Sequence, residues 1–191
     1  MDLNSLVDST RTDKNTTHSY LDLYQILLGS KKETAQNVLE VGIQQGGSIK
    51  LWRDFFTNAN IYGLDVMHID DVWSIIKTDD RIKLYTSTDA YDEELFKLNF
   101  LEQNIKFDFL LDDGPHTLKS MESFIQLYSQ IMADGGILII EDVQDWNWIE
   151  ILKNSVPEYL KQYVQVYDLR NKKGRYDDIV FTIDKSSESF Q

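Results

Sequence analysis

Residues 37–52 read NVLEVGIQQGGSIKLW, and this stretch decides the fold. Five residues, mostly apolar, run into a glycine at Gly42. Two more glycines follow at Gly46-Gly47, and then a helix-period segment begins. A short run that is nearly continuously apolar fits a strand covered on both faces better than one with a wet face. Glycines directly after it allow a tight turn and a close approach of the backbone to another group. Strand, glycine loop and helix together predict the opening unit of a parallel α/β sheet.

The same alternation continues along the chain. IYGLDV (61–66), RIKLYT (81–86), FDFLLD (107–112) and GILIIE (136–141) are short apolar runs ending in a polar residue. Between them lie amphipathic segments. In 117–133, Leu118, Met121, Phe124, Ile125, Tyr128 and Ile131/Met132 fall on one face at helical spacing, and Gly135-Gly136 closes that helix. A leading helix is expected over 18–30, ending at Gly29. The tail differs: QYVQVYDL (162–169) and DIVFTI (178–183) are joined by RNKKGRYD with no helix expected between them. The expectation is a Rossmann-like three-layer αβα sandwich, with a mainly parallel seven-stranded sheet and a C-terminal antiparallel hairpin. One domain over residues 1–191 is expected, with 1–30 as an N-terminal segment and candidate lid.

Bulk properties narrow the function. The 191 residues carry a formal net charge of −13, which repels phosphate backbones and anionic lipid, so no nucleic acid and no membrane are expected as partners. With no cysteine in the chain, disulfides and thiolate metal sites are impossible. MDLNSLVDSTRTDKN lacks the basic start and apolar run of a signal peptide, and no apolar run approaches the roughly 20 residues of a membrane helix. A cytoplasmic protein is expected; a homo-oligomer is left open.

In doubly wound sheets, ligands bind beyond the carboxyl ends of the strands, where the strand order reverses. The first strand delivers Glu40, Gly42, Gly46, Gly47 and Ser48 to that edge, and the second ends at Asp65. A carboxylate so placed accepts hydrogen bonds from ribose hydroxyls. The plain alternative is a glycine turn and a surface aspartate. The spacing is G-x-x-x-G-G rather than the dinucleotide pattern G-x-G-x-x-G. Glu40 would repel a pyrophosphate but attract the ammonium of S-adenosylmethionine (SAM), so SAM is preferred over NAD. Ser87 and Thr88, in TSTDA at the end of the third strand, are candidates to border the adenine.

The fourth strand ends at Asp112-Asp113, with His116 three positions on, and the fifth at Glu141-Asp142. Asp113, Glu141 and Asp142 would meet at one mouth of the sheet. Three ionised carboxylates there repel one another unless a cation neutralises them. Oxygen donors without sulfur point to Mg²⁺ or another hard divalent cation. Solvated loop acids are the plain alternative, and His116 could simply pack beneath a loop. Beside a metal and a methyl donor, a neutral histidine can instead take the proton of an attacking hydroxyl.

These residues resemble the metal-dependent class I SAM O-methyltransferases of the macrocin and mycinamicin sugar-methylating type, with the cephalosporin-hydroxylase-like proteins as relatives. TDKNTTHSY (12–20), VLEVGIQQGGSIKLW (38–52), YGLDV (62–66), FDFLLDDGPH (107–116) and GGILIIEDVQ (135–144) carry the resemblance in order. It implies that Asp113, Glu141 and Asp142 hold magnesium, that Asp113 also borders the cofactor, and that His116 is the general base. The implied acceptor is a sugar or glycoside hydroxyl. Pro115 departs from the family, where serine is common. The lid segments that several antibiotic-pathway members carry have no counterpart here, which leaves the acceptor open.

The resemblance also implies that Lys14, His18 and Tyr20 border cofactor or acceptor, although a helix cap and a helix-facing aromatic would explain them as well. Trp146 and Trp148 could wall a sugar ring, or belong to the core. Two rival functions stay open: a catechol-type phenol methyltransferase, and a SAM-fold binding protein without catalysis.

Overall fold

In the computed structural model, residues 1–186 are described. The first half contains α1 (Leu3–Leu6), α2 (Tyr20–Leu28), β1 (Asn37–Val41), α3 (Gly47–Phe55), β2 (Asn60–Leu64), α4 (Ser74–Lys77), β3 (Ile82–Tyr85) and α5 (Glu93–Phe96). Then follow β4 (Phe107–Asp112), α6 (Leu118–Tyr128), β5 (Met132–Ile140), α7 (Trp148–Ser155), β6 (Val164–Asp168), α8 (Arg170–Lys173) and β7 (Ile179–Asp184). Among the described residues, no helix is long and apolar enough to cross a membrane.

The seven strands form one sheet in the order β3-β2-β1-β4-β5-β7-β6. The pairs among β1 to β5 are parallel, and β7 runs antiparallel to both neighbours. The expected α/β sandwich with its C-terminal antiparallel strands is therefore present. Successive strand residues enter opposite cores, because side chains alternate across a pleated sheet. Leu39, Val41 and Leu110 join one apolar cluster with Met121, Phe124, Ile125 and Tyr128 of α6. Val38, Phe109 and Leu111 join the other with Tyr20, Leu21 and Tyr24 of α2 and Ile49, Trp52 and Phe55 of α3. Both faces are covered, which is why these strands read as apolar throughout rather than alternating.

Two local expectations change. The helix expected over 117–133 stops at Tyr128, continues as one 3-10 turn over Ser129–Ile131 and becomes β5 at Met132. Met132 pairs with Phe107 of β4, so sheet pairing overrides the helical spacing of the last residues. The connection expected to lack helix contains the single turn α8, which Gly174 ends in the left-handed conformation at φ 72°. At its other end, α6 begins on a reciprocal cap between Thr117 and Ser120.

The strand order reverses between β1 and β4. Their register sets Val41 beside Asp112, and Asp112 in turn lies beside Ile140 of β5. Gly42, Asp113 and Glu141, the next residue of each strand, therefore emerge together at the carboxyl edge.

Candidate active site

Gly42 and Asp113 are in direct backbone contact. The Asp113 amide donates to Val41 O at 2.9 Å, and the Gly42 amide donates to Leu64 O at 2.9 Å. A Cβ on Gly42 would lie 1.8 Å from the Asp113 carbonyl oxygen, and Gly42 has φ +83°. Only glycine satisfies both constraints. Gly46 and Gly47 serve contacts inside the protein as well. A Cβ on Gly46 would meet Ile76 at 2.2 Å, and one on Gly47 the Arg11 carbonyl oxygen at 2.0 Å. The N-terminal segment thus lies directly on the start of α3.

Two cavities adjoin here. One of ≈ 500 Å³ is lined by Gly42, Asp65, Thr88, Asp113 and His116 among others. Another of ≈ 180 Å³ is lined by His18, Ser48, Asp113, His116, Asp142 and Asp177 among others. Gly42, Asp113 and His116 line both. The Asp65 carboxylate accepts from the amides of Gln44 at 2.7 Å and Met67 at 2.9 Å, so it braces the loops at this edge. Ser87, at φ 54°, donates its amide to Met67 O and is not among the lining residues of the larger cavity, whereas Thr88 is.

Glu40 is fully buried beneath the cavities. It accepts from the Trp52 indole at 2.8 Å, and the ammonium nearest to it is that of Lys14 at 3.5 Å. Its Oε1 is buried with no hydrogen-bond partner among the described residues. Burial raises its pKa, and the Lys14 charge opposes that rise.

At the metal position the carboxylates divide. Donor atoms of Asp113, His116 and Asp142 lie within 4.8 Å of one another. His116 Nε2 stands 3.8 Å from Asp113 Oδ1 and 3.6 Å from Asp142 Oδ2. Glu141 is held from behind by the Lys14 ammonium at Oε1 and the Tyr24 hydroxyl at Oε2. Burial pushes Asp113 up to about 7 against the Lys14 charge. Burial and then repulsion from Asp113 raise Glu141 well above the carboxylate range. The His116 imidazole, half-buried, is shifted down by desolvation, which favours its neutral form. His116 and Asp142 both hold left-handed backbone, at φ 54° and 56°. Non-glycine residues in that region cost roughly 1–3 kcal/mol each and cluster at functional sites.

Three side chains of the segment expected as a lid point into the protein, while its neighbours Arg11, Asp13, Thr16 and Thr17 stay exposed. Lys14, His18 and Tyr20 are all buried. Tyr20 donates its hydroxyl to Asp142, and His18 Nδ1 lies 2.7 Å from Asp178. Trp146 is about half exposed beneath the Arg170 guanidinium and lines neither cavity. Trp148 only packs against the edge of a core cluster. Sequence reasoning missed Tyr24, Asp177 and Asp178. The adjacent acids in RYDDIV, just before the last strand, were the available signal.

The donors present fit both groups that the resemblance implies. Asp113, Asp142 and His116 converge as oxygen and nitrogen donors with too little positive charge among them. A cavity large enough for a nucleoside opens between Asp65 and Asp113.

The fold is that of the class I SAM-dependent methyltransferases. MycE methyltransferase of the mycinamycin biosynthetic pathway, solved in complex with Mg and SAH, superposes with a TM-score of 0.73 at 22% identity, over 96% of this chain and 55% of that one. In sequence, the chain is similar to sugar O-methyltransferases, as the motifs implied. One, 8-demethyl-8-(2-methoxy-alpha-L-rhamnosyl)-tetracenomycin-C 3'-O-methyltransferase of Streptomyces olivaceus, is 26% identical over 150 residues, 74% of this chain and 37% of its own length. Another, mycinamicin VI 2''-O-methyltransferase of Micromonospora griseorubida, is 29% identical over 119 residues, 58% of this chain and 28% of its own. The chain thus spans well under half the length of these two relatives. No model of a known protein family matches it.

Proposed function

We propose that this chain is a single methyltransferase domain that moves the methyl group of SAM to a hydroxyl of a sugar or glycosylated small molecule, with Mg²⁺ or a similar cation required. One observation carries the reading: Asp113, His116 and Asp142 converge at the switch point of the sheet. They do so beside a cavity bounded by Gly42 and Asp65, in a chain whose relatives methylate sugars.

Asp113 and Asp142 would hold the cation, with Glu141 joining once its contacts to Lys14 and Tyr24 rearrange. The cation would lower the pKa of an acceptor hydroxyl, and SAM would supply the methyl, its S–C bond breaking as the O–C bond forms and SAH leaving. His116 then accepts the hydroxyl proton at Nε2, the nitrogen that faces Asp113 and Asp142. Gly42 and Asp65 shape the wall against which the nucleoside lies, and much of the rate advantage would come from positioning.

The test uses methyl-labelled SAM with a panel of rhamnosides and other deoxysugar glycosides. Label should reach a glycoside with Mg²⁺ present, cease with EDTA and return on adding Mg²⁺. Transfer to catechols alone would replace the sugar assignment, and SAM binding without transfer to any acceptor would leave a non-catalytic binding domain.

A further inference from the structure

Asp142 turns its two oxygens toward different groups. Oδ2 faces His116 at 3.6 Å. Oδ1 lies 3.2 Å from His18 Nδ1 and accepts from the Tyr20 hydroxyl. Around this second oxygen stand Asp177 and Asp178, from the residues that lead into β7. Donor atoms of His18, Asp142, Asp177 and Asp178 lie within 4.8 Å of one another, and all four residues are buried.

The cluster is short of positive charge and of donors. Arg175 reaches Asp177 Oδ2 at 3.0 Å, and His18 Nδ1 lies 2.7 Å from Asp178 Oδ1. The His18 Nε2 atom faces Asp13 at 3.7 Å. Asp177 Oδ1 and Asp178 Oδ2 are buried with no hydrogen-bond partner among the described residues. Buried acceptors left in this condition are rare in folded proteins and call for an unseen partner. Asp177 also lines the same ≈ 180 Å³ cavity as His18 and Asp142, which offers an ion a way in.

We propose that His18, Asp142, Asp177 and Asp178 form a second divalent-cation site, joined to the first through Asp142. One imidazole and three carboxylates favour a transition-metal ion that takes nitrogen with oxygen, for which Mn²⁺ serves as the probe, over Ca²⁺, which takes oxygen alone. The two oxygens of Asp142 then serve one ion each. The site rests on the preceding functional reading only for its neighbour, since its own donors include neither Asp113 nor His116.

Mn²⁺ binding, followed by equilibrium dialysis and by electron paramagnetic resonance of the intact chain, tests this. Wild type should bind two Mn²⁺ per chain with a spin-coupled signal. Asp177→Asn and Asp178→Asn should each keep one ion and lose the coupling, and Asp113→Asn should keep the other. Circular dichroism checks folding, and if Asp178→Asn does not fold, Asp177→Asn and the wild-type stoichiometry decide. A single ion in wild type, lost in Asp113→Asn and kept in both β7-side variants, overturns the second site alone. A single ion with the opposite pattern supports it and overturns the Asp113 site, and no bound Mn²⁺ overturns both.

Discussion

The ammonium of Lys14 lies 2.7 Å from Oδ2 of Asp113, a partner ninety-nine positions away in the chain. The same ammonium meets Glu141 and stands 3.5 Å from Glu40, and Lys14 is only 1% exposed. One positive charge is thus shared by carboxylates at the ends of three neighbouring strands. Burial alone would lower the Lys14 pKa, but Asp113, Glu141 and Glu40 together hold it well above its ordinary value. The N-terminal segment is tied to the carboxyl edge of the sheet by this contact.

Replacing Lys14 with Met should therefore destabilise the metal-free protein sharply. Removing one partner of a buried ion network costs about 3–5 kcal/mol, which in a chain of this length lowers Tm by roughly 6–20 °C. Mg²⁺ should restore part of the loss by supplying the missing charge. Thermal unfolding in EDTA and in Mg²⁺ measures both, and an unchanged Tm in EDTA would refute the role given to Lys14.

His116→Ala should abolish turnover while SAM affinity, read by calorimetry, stays within a few-fold of wild type. General bases contribute about 10²–10⁴ in rate. Full activity in this variant would remove His116 from the chemistry, and loss of SAM binding would make its role structural.

Gly42→Ala should damage both fold and site. The new methyl would fall on the Asp113 carbonyl, and the left-handed backbone adds strain of about 1–3 kcal/mol. We expect a lower Tm and weakened SAH binding; wild-type values for both would mean that β1 and β4 separate freely.

The contribution of two buried acids to the pH dependence of the metal-free protein has a definite sign. Burial pushes Asp112 and Asp113 up to about 7. In the unfolded chain both titrate near the ordinary value of about 3.9, so between these limits the folded state holds more protons. Stability from these groups is complete below the unfolded pKa and is lost as pH rises through about 7. In EDTA, Tm should fall from pH 5 to pH 8, and Asp112→Asn should shrink that fall. A Tm that rises over this range would contradict the burial of these acids.

Much of this was legible in advance. The strands of NVLEVG and FDFLLD declare themselves because strands covered on both faces must be apolar on both. DDGPH and IIED then stand out as polar ends that burial alone does not explain. The end of α6 was less legible, since its last apolar residues suit a helix or a strand equally and the pairing of Met132 with Phe107 chose the strand.

What the amino-acid sequence determined by itself was local and periodic: strand and helix, the glycine turn after β1, and the acids and histidine at the strand ends. The tertiary structure alone decided which carboxylate faces which partner. Lys14, read as part of a lid, became the interior cation, Glu141 turned back toward Lys14 and Tyr24, and Asp177 and Asp178 came up beside Asp142. The reason is physical. Backbone preference extends over a few residues, whereas charge pairing in a buried site depends on distances set by sheet order between residues on opposite sides of a hundred-residue gap.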